Sequence, residues 1–277
     1  MLPFKKGFFF FQAGTGISAN TFLFLLCIFK LHLERRPKPT DVTTSHLAFV
    51  HIVNLVTEVI LVSLELFGSL HLGNDFKCKA LLPLSRVMRG LSICTACLLS
   101  MFKNKSTNDI FYIFFFLWFL NLSFSSNLII YAVSSSNGTQ TNLVILTQYC
   151  SLSPVSYIIR GLTVTLSVSR DVSFVGIMLL SSAYMVILLL SPRACPEKRA
   201  THTVLLLVTF SVVMYWVDLI ISSSCTLLWA YDPVLLGSQR LVVNVYVTVS
   251  PLVLLSSDKR IINLNNLSST GSATWFN

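Results

Sequence analysis

Seven long apolar stretches, separated by short polar connections, occupy nearly the whole chain. They run from Gly7 to Phe29, Asp41 to Phe67, Ala80 to Phe102, Ile110 to Val133, Asp171 to Ser191, Thr203 to Leu228 and Arg240 to Leu255. Each is near or above the ~20 residues that carry a helix across ~30 Å of hydrocarbon. A backbone in lipid has no water to bond, so it must satisfy its own N–H and C=O groups, and the stretches are expected to be helices. The expectation is an all-α membrane protein: a seven-helix bundle forming one domain over residues 1–277. An outer loop is expected at 134–170 and a disordered tail, Asn- and Ser-rich, at 263–277.

Composition limits what else the chain can hold. Hydrophobic residues make up 54% of the sequence and charged residues 11%, against about 25% charged in a soluble domain. Too little polar sequence lies between the stretches for a separate soluble domain or an appended catalytic module. The formal net charge is +9. In a soluble protein such a surplus raises the question of nucleic acid; here its distribution points to a membrane face, and no nucleic-acid partner is expected. Lys30, Arg35, Arg36, Lys38, Lys103, Lys105, Arg193, Lys198, Arg199, Lys259 and Arg260 fall on one side of the predicted helices. Lys5, Lys6, Lys77, Lys79, Arg160, Arg170 and Arg240 fall on the other. The richer side is the cytosolic one, which places the N-terminus outside a multi-pass protein of the plasma membrane, with lipid around it. Lys5-Lys6 before an apolar run is similar to the start of a signal peptide. The run is longer than a signal core, and Ala13, Gly14 and Gly16 alone make no cleavage site, so an uncleaved first helix is expected.

In this topology Cys78, just before the third helix, and Cys150, in the long connection from Ser134 to Arg170, are both extracellular, where disulfides persist. A bond between them pins that loop to the outer end of the third helix; two separate thiols are the alternative. Asn137-Gly138-Thr139 is a glycosylation acceptor in the same loop. Asn121-Leu122-Ser123 has the same pattern but lies inside the fourth helix, beyond the reach of a transferase.

Seven helices, an outer N-terminus and that bridge describe a G-protein-coupled receptor of rhodopsin-like architecture. Longer motifs narrow the likeness. They include His46-Leu47-Ala48-Phe49-Val50-His51-Ile52-Val53 and Leu84-Ser85-Arg86-Val87-Met88-Arg89-Gly90-Leu91-Ser92-Ile93-Cys94. Further along come Tyr149-Cys150-Ser151-Leu152-Ser153-Pro154, Val213-Met214-Tyr215-Trp216-Val217-Asp218 and Gln239-Arg240-Leu241-Val242-Val243-Asn244-Val245-Tyr246. Over roughly residues 8–262 the chain resembles the vomeronasal type-1 receptors. The resemblance implies a chemosensory receptor for small pheromone-like ligands, coupled to an inhibitory-class heterotrimeric G protein. Two cytosolic segments depart from that family. Its third helix continues past the point where Met101-Phe102 here meets Lys103-Asn104-Lys105. Its loop between the fifth and sixth helices is longer than the one running from Leu190-Ser191-Pro192-Arg193 to Glu197-Lys198-Arg199. Both departures fall where a G protein docks, so a receptor that folds without signalling is an alternative.

Ionisable groups inside a membrane are costly and are candidate functional residues. In the second stretch His51, Asn54, Glu58 and Glu65 are spaced three, four and seven apart, which puts them on one helical stripe. Arg86 and Arg89 share a face of the third, and Asp218 follows Tyr215 and Trp216 in the sixth. Counting from the outer ends places Glu58, Arg86, Arg89 and Asp218 at similar depth. One reading is a structural ion pair, because a lone buried charge costs several kcal/mol. The other is a ligand pocket walled by Tyr215, Trp216 and Tyr246, with Asn244 beside them; the two are compatible. His51 stands where many rhodopsin-like receptors carry a sodium-binding aspartate, which argues against a sodium site. His46 and His51 lie five apart, on different faces, with no Cys or carboxylate completing a zinc set. No metal and no cofactor are expected, and no nucleophile–base–orienter set argues for an enzyme. A secondary transporter or channel is the remaining alternative, but no internal repeat or paired interrupted helices support it.

Replacing Cys78 or Cys150 with Ser is expected to lower surface expression sharply, by releasing the outer loop. Peptide mapping of the unreduced protein checks the pairing directly.

Overall fold

The computed structural model describes residues 2–33, 38–67, 74–101, 107–134, 144–145, 150–152 and 233–257, with scattered positions between 161 and 187 and between 206 and 221. Asn137, Asp218, the segments 102–106 and 188–205, and the tail from 258 lie outside the described residues, as do the side chains of Glu65, Cys78 and Cys150. Among the described residues five helices are complete: α1 (Leu2–Leu33), α2 (Pro39–Phe67), α3 (Asn74–Met101), α4 (Thr107–Tyr131) and α5 (Pro233–Ser257). The spans Gly7–Leu33, Pro39–Ser63, Lys79–Leu99 and Asp109–Ser126 are each long and apolar enough to cross a membrane, and Arg240–Leu255 is a shorter apolar run. The described positions between 161 and 187 and between 206 and 221 are all helical.

The helices overrun the apolar stretches that predict them, because helical hydrogen bonding continues past the edge of the hydrocarbon. Proline marks two of the starts. Pro39 opens α2 and Pro233 opens α5, where a missing N–H costs nothing and the ring presets φ. The carbonyl of Lys38 accepts from the Asp41 N–H at 3.0 Å and the Val42 N–H at 3.3 Å. Asp41, in the first turn of α2, also lies 3.8 Å from Lys30 in the last turn of α1. Each charge complements the dipole of its own helix end, and the pair clips the two ends together with about 1 kcal/mol or less.

The connection after α4 differs most from expectation. In place of a plain loop at 134–170, three short strands, β1 (Ala132–Ser134), β2 (Val144–Ile145) and β3 (Cys150–Leu152), form an antiparallel sheet in the order β1-β3-β2. β1 continues directly from α4, two residues before the predicted end of the fourth helix at Val133. Ala132 and Val133 pair with Leu152 and Ser151, so the strand ladder takes over the hydrogen bonds the helix would have made. β1 packs on α3, and Cys150 of β3 pairs with Ser134 of β1. Among the described residues Gly161 is already helical, ten residues before the predicted Asp171. The Ser- and Thr-rich segment there reads as a polar connection. Its hydroxyls instead bond back along the helix, as Thr165 does to the Gly161 carbonyl at 2.8 Å.

α1 packs on α2 and α5, α2 on α3, and α3 on α4, with lighter contacts from α2 to α4 and α5. Buried apolar clusters fill these seams. Leu23, Cys27 and Ala48 join α1 to α2; Val50, Val87, Met88 and Leu91 join α2 to α3; Leu55, Tyr246 and Val247 join α2 to α5. In the runs Phe8–Phe11 and Phe114–Phe116, Phe8, Phe11, Phe115 and Phe116 are exposed, while Phe9 and Phe114 turn inward and are buried. Successive residues on a helix are turned by about 100°, so a run of three or four cannot all face the same way.

Gly16 sets the closest approach of three helices. A Cβ there would lie 2.7 Å from the Thr248 hydroxyl and 2.8 Å from a Leu55 methyl, whereas nothing stands within 4 Å of one at Gly14. Gly16→Val is therefore expected to destabilise by about 1–3 kcal/mol through overpacking, and Gly14→Ala to be neutral or slightly stabilising. Thermal unfolding of the two variants in detergent distinguishes them.

Candidate functional site

α2 carries polar side chains at three levels, and each level ties it to different neighbours. At the level nearest the start of the helix stands His46. The Trp118 indole N–H donates to His46 Nε2 at 3.1 Å. An indole can only donate, so Nε2 is the bare nitrogen and Nδ1 carries the proton. Nδ1–H then donates to Thr95 Oγ1 at 3.0 Å. The ring also stacks on Phe114, with centroids 4.1 Å apart. A neutral histidine thus joins α2 to α3 and α4.

Further along α2, His51 is buried among four helices. Asn20 donates its amide N–H to the carbonyls of Gly16, at 2.8 Å, and Val247, at 3.0 Å. Carbonyls only accept, which fixes the amide orientation and leaves Asn20 Oδ1 facing His51 Nδ1 at 3.3 Å. Nδ1 is therefore the protonated nitrogen, and it also lies 3.1 Å from Ser250 Oγ. Ser92 Oγ donates to the bare Nε2 at 2.7 Å. Tyr246 closes the level, its ring 5.5 Å from the imidazole and nearly perpendicular to it. Both ring nitrogens are engaged by side chains from α1, α3 and α5.

Glu58 forms the third level. Ser85 Oγ donates to its Oε1 at 2.7 Å. Arg89 of α3 lies 3.9 Å from Oε1, and Arg240 of α5 lies 3.8 Å from Oε2. One buried carboxylate thus stands between two guanidiniums from different helices. The expected ion pair between Glu58 and a third-helix arginine is present, and it is Arg89 that makes it. Arg240 also joins it. The sequence alone places Arg240 among the charges of the outer face, because it opens the seventh apolar stretch. The helix starts seven residues earlier, at Pro233, which draws Arg240 into the bundle.

The structure brings Glu58, Arg89, Asn244 and Tyr246 to the α2–α3–α5 region, with Asn244 and Tyr246 buried. Arg86 is half-buried one turn from Arg89. Tyr215 is buried against Ile93, Cys94 and Cys97 of α3. Trp216, expected beside it as a wall, is 43% exposed. Asp218 lies outside the described residues. Sequence reasoning missed Asn20, Ser85, Ser92, Arg240 and Ser250. A spacing signal was available for part of this set. Ser85, Arg89 and Ser92 are spaced four and three on α3, the mirror image of His51, Asn54 and Glu58 on antiparallel α2, so the two polar stripes match rung by rung.

Long apolar helices around a polar interior, with a buried carboxylate and its arginines at one end, define a helical membrane protein. The chain belongs to the vomeronasal organ pheromone receptor family, whose model matches residues 4–267. It is similar to vomeronasal type-1 receptor 90 of Rattus norvegicus, with 38% identity covering 93% of this chain and 92% of the relative. Vomeronasal type-1 receptor 48 of Mus musculus is 36% identical, covering 92% and 94% respectively. Vomeronasal type-1 receptor A11 of the same organism is 34% identical, covering 94% and 90%.

Glu58→Ala is expected to destabilise the fold by about 3–5 kcal/mol, because it leaves Arg89 and Arg240 facing each other without their carboxylate. Trp118→Phe removes one hydrogen bond at the His46 level and is expected to cost about 1 kcal/mol beyond the packing change. Thermal unfolding of the purified receptor ranks the two.

Proposed function

We propose that this chain is a chemosensory receptor of the plasma membrane, with its N-terminus outside. Its ligand is a small pheromone-like molecule, and its signalling partner an inhibitory-class heterotrimeric G protein. The observation that carries this reading is the charge cluster of Glu58, Arg89 and Arg240 at one end of a bundle whose sequence matches the family almost throughout. Receptor pockets need a few placed polar groups in apolar walls. Glu58, Arg86, Arg89, Asn244 and Asp218 supply the polar groups in this proposal, and Tyr215, Trp216 and Tyr246 the aromatic ones. The Cys78–Cys150 bridge would hold the outer strands over that end, and Asn137 would carry its glycan in the same loop.

One observation favours a second reading, a receptor that folds without signalling. α3 is described to Met101 and α4 begins at Thr107, which leaves five residues to turn between them. Rhodopsin-like receptors dock G protein on a longer cytosolic end of this helix. Weak or absent coupling is therefore expected. The test is G-protein activation in cells expressing the full chain, challenged with volatile and steroid-like ligands, with surface expression measured in parallel. Ligand-driven activation by this chain would retire the second reading. Normal surface expression and ligand binding without activation would establish it.

A further inference from the structure

Three amides and one carboxylate share a feature that neither packing nor the receptor reading uses. Gln12 on α1, Asn54 and Glu58 on α2, and Asn244 on α5 are buried, at 7%, 1%, 4% and 1% exposure. Gln12 Oε1, Asn54 Oδ1, Glu58 Oε2 and both Asn244 side-chain atoms have no hydrogen-bond partner among the described residues. Their register brings them to a common depth. Gly16 touches both Thr248 and Leu55, which fixes one common depth for α1, α5 and α2. α1 and α5 run the same way, since Leu23 and Cys27, further along α1, pack near Leu254 and Leu255. Gln12 and Asn244 each stand four residues before that level, about 6 Å towards the Glu58 end. On antiparallel α2, Asn54 lies one residue to the other side of Leu55 and Glu58 three residues towards the same end. All four groups therefore fall within about 8 Å of depth, on the Glu58 side of the His51–Ser250 bond.

We propose that Gln12, Asn54, Glu58 and Asn244 line an internal hydration site between α1, α2 and α5, and that its guest is water. The chemistry of the orphan atoms selects the guest. Four are acceptors and one, Asn244 Nδ2, is a donor, so the guest must chiefly donate. An anion with no proton of its own cannot donate, and any anion would face the four acceptors. A cation is disfavoured because Arg89 and Arg240 already stand 3.9 and 3.8 Å from the one carboxylate. A neutral hydroxyl-type oxygen remains, and in the unliganded receptor water supplies it. Buried water makes about three hydrogen bonds to such groups, and each orphan left dry would cost ~1–3 kcal/mol. The site makes the end of α5 nearest Glu58 a wet contact on α1 and α2, in contrast to the dry seam of Leu55, Tyr246 and Val247 beside it.

A density map of the full chain in lipid nanodiscs without ligand, at a resolution that shows ordered water, tests this first. Expected are peaks about 2.7–3.2 Å from Asn54 and Asn244. Direct amide–amide contacts with no peak, or a peak present only when a hydroxyl-bearing ligand is added, overturn it. Thermal unfolding of Asn54→Leu, Asn244→Leu and the milder Gln12→Met gives a second readout. If water satisfies these groups, each variant strands a water and melts a few degrees lower, and the Asn54–Asn244 double falls by less than the sum of its singles. If the amides are dry orphans, their apolar near-isosteres melt higher than the parent, and the hydration site is refuted.

Discussion

Four helices meet on one imidazole ring. His51 receives a hydroxyl from α3, faces an amide from α1 and a hydroxyl from α5, and is itself held on α2. In hydrocarbon, apolar side chains gain little by leaving lipid for each other, so packing and interhelical hydrogen bonds decide which helices associate. The His51 level supplies both. Asn20 reaches the backbone carbonyls of Gly16 and Val247, so it requires α1 and α5 to be as close as Gly16 permits. The tight Gly16 contact and the histidine network are therefore one constraint described from two sides. Around it the aliphatic clusters are space-filling: Leu47, Val50 and Leu55 bury fully because the polar node fixes the distances between their helices.

Much of this is legible in the sequence, and the reasons are physical. A run of apolar residues long enough to span a bilayer has one low-energy backbone, so five of the stretches can be placed to within a few turns at their ends. The α2 stripe from His51 to Glu58 is readable because its spacing matches the helical repeat. The partners of that stripe are harder. Ser85, Ser92 and Ser250 are small hydroxyl residues, common in membrane helices, and nothing local separates one that bonds a histidine from one that bonds its own backbone, as Ser18 does. Arg240 is misplaced for a different reason. Hydropathy assigns a charge to the end of an apolar run, while the helix itself has already begun at Pro233. The strands at Ala132–Ser134 and Cys150–Leu152 are too short to leave a periodic pattern.

The polar residues divide by type as well as by level. Amides, hydroxyls and neutral imidazoles occupy the level of His46 and that of His51, while Glu58 and its arginines lie beyond them. Neutral groups can be satisfied by two or three partners at fixed distance, and they suit the part of the bundle where helices must not slip. Charges need more room, because each brings several donors or acceptors that must all be met. At the Glu58 level the two guanidiniums stand 3.8 and 3.9 Å from a carboxylate that also accepts a 2.7 Å bond from Ser85.

This gradation has a consequence for anything that enters the bundle. Along α2, from Glu58 to His51, the lining passes from full charges to dipoles within seven residues, about 10 Å. A visitor bearing a charge finds counter-charges only at the first of these levels and would be left stranded at the second. The step is one of polarity: a buried charge is stabilised on one side of it and carries its full desolvation cost on the other.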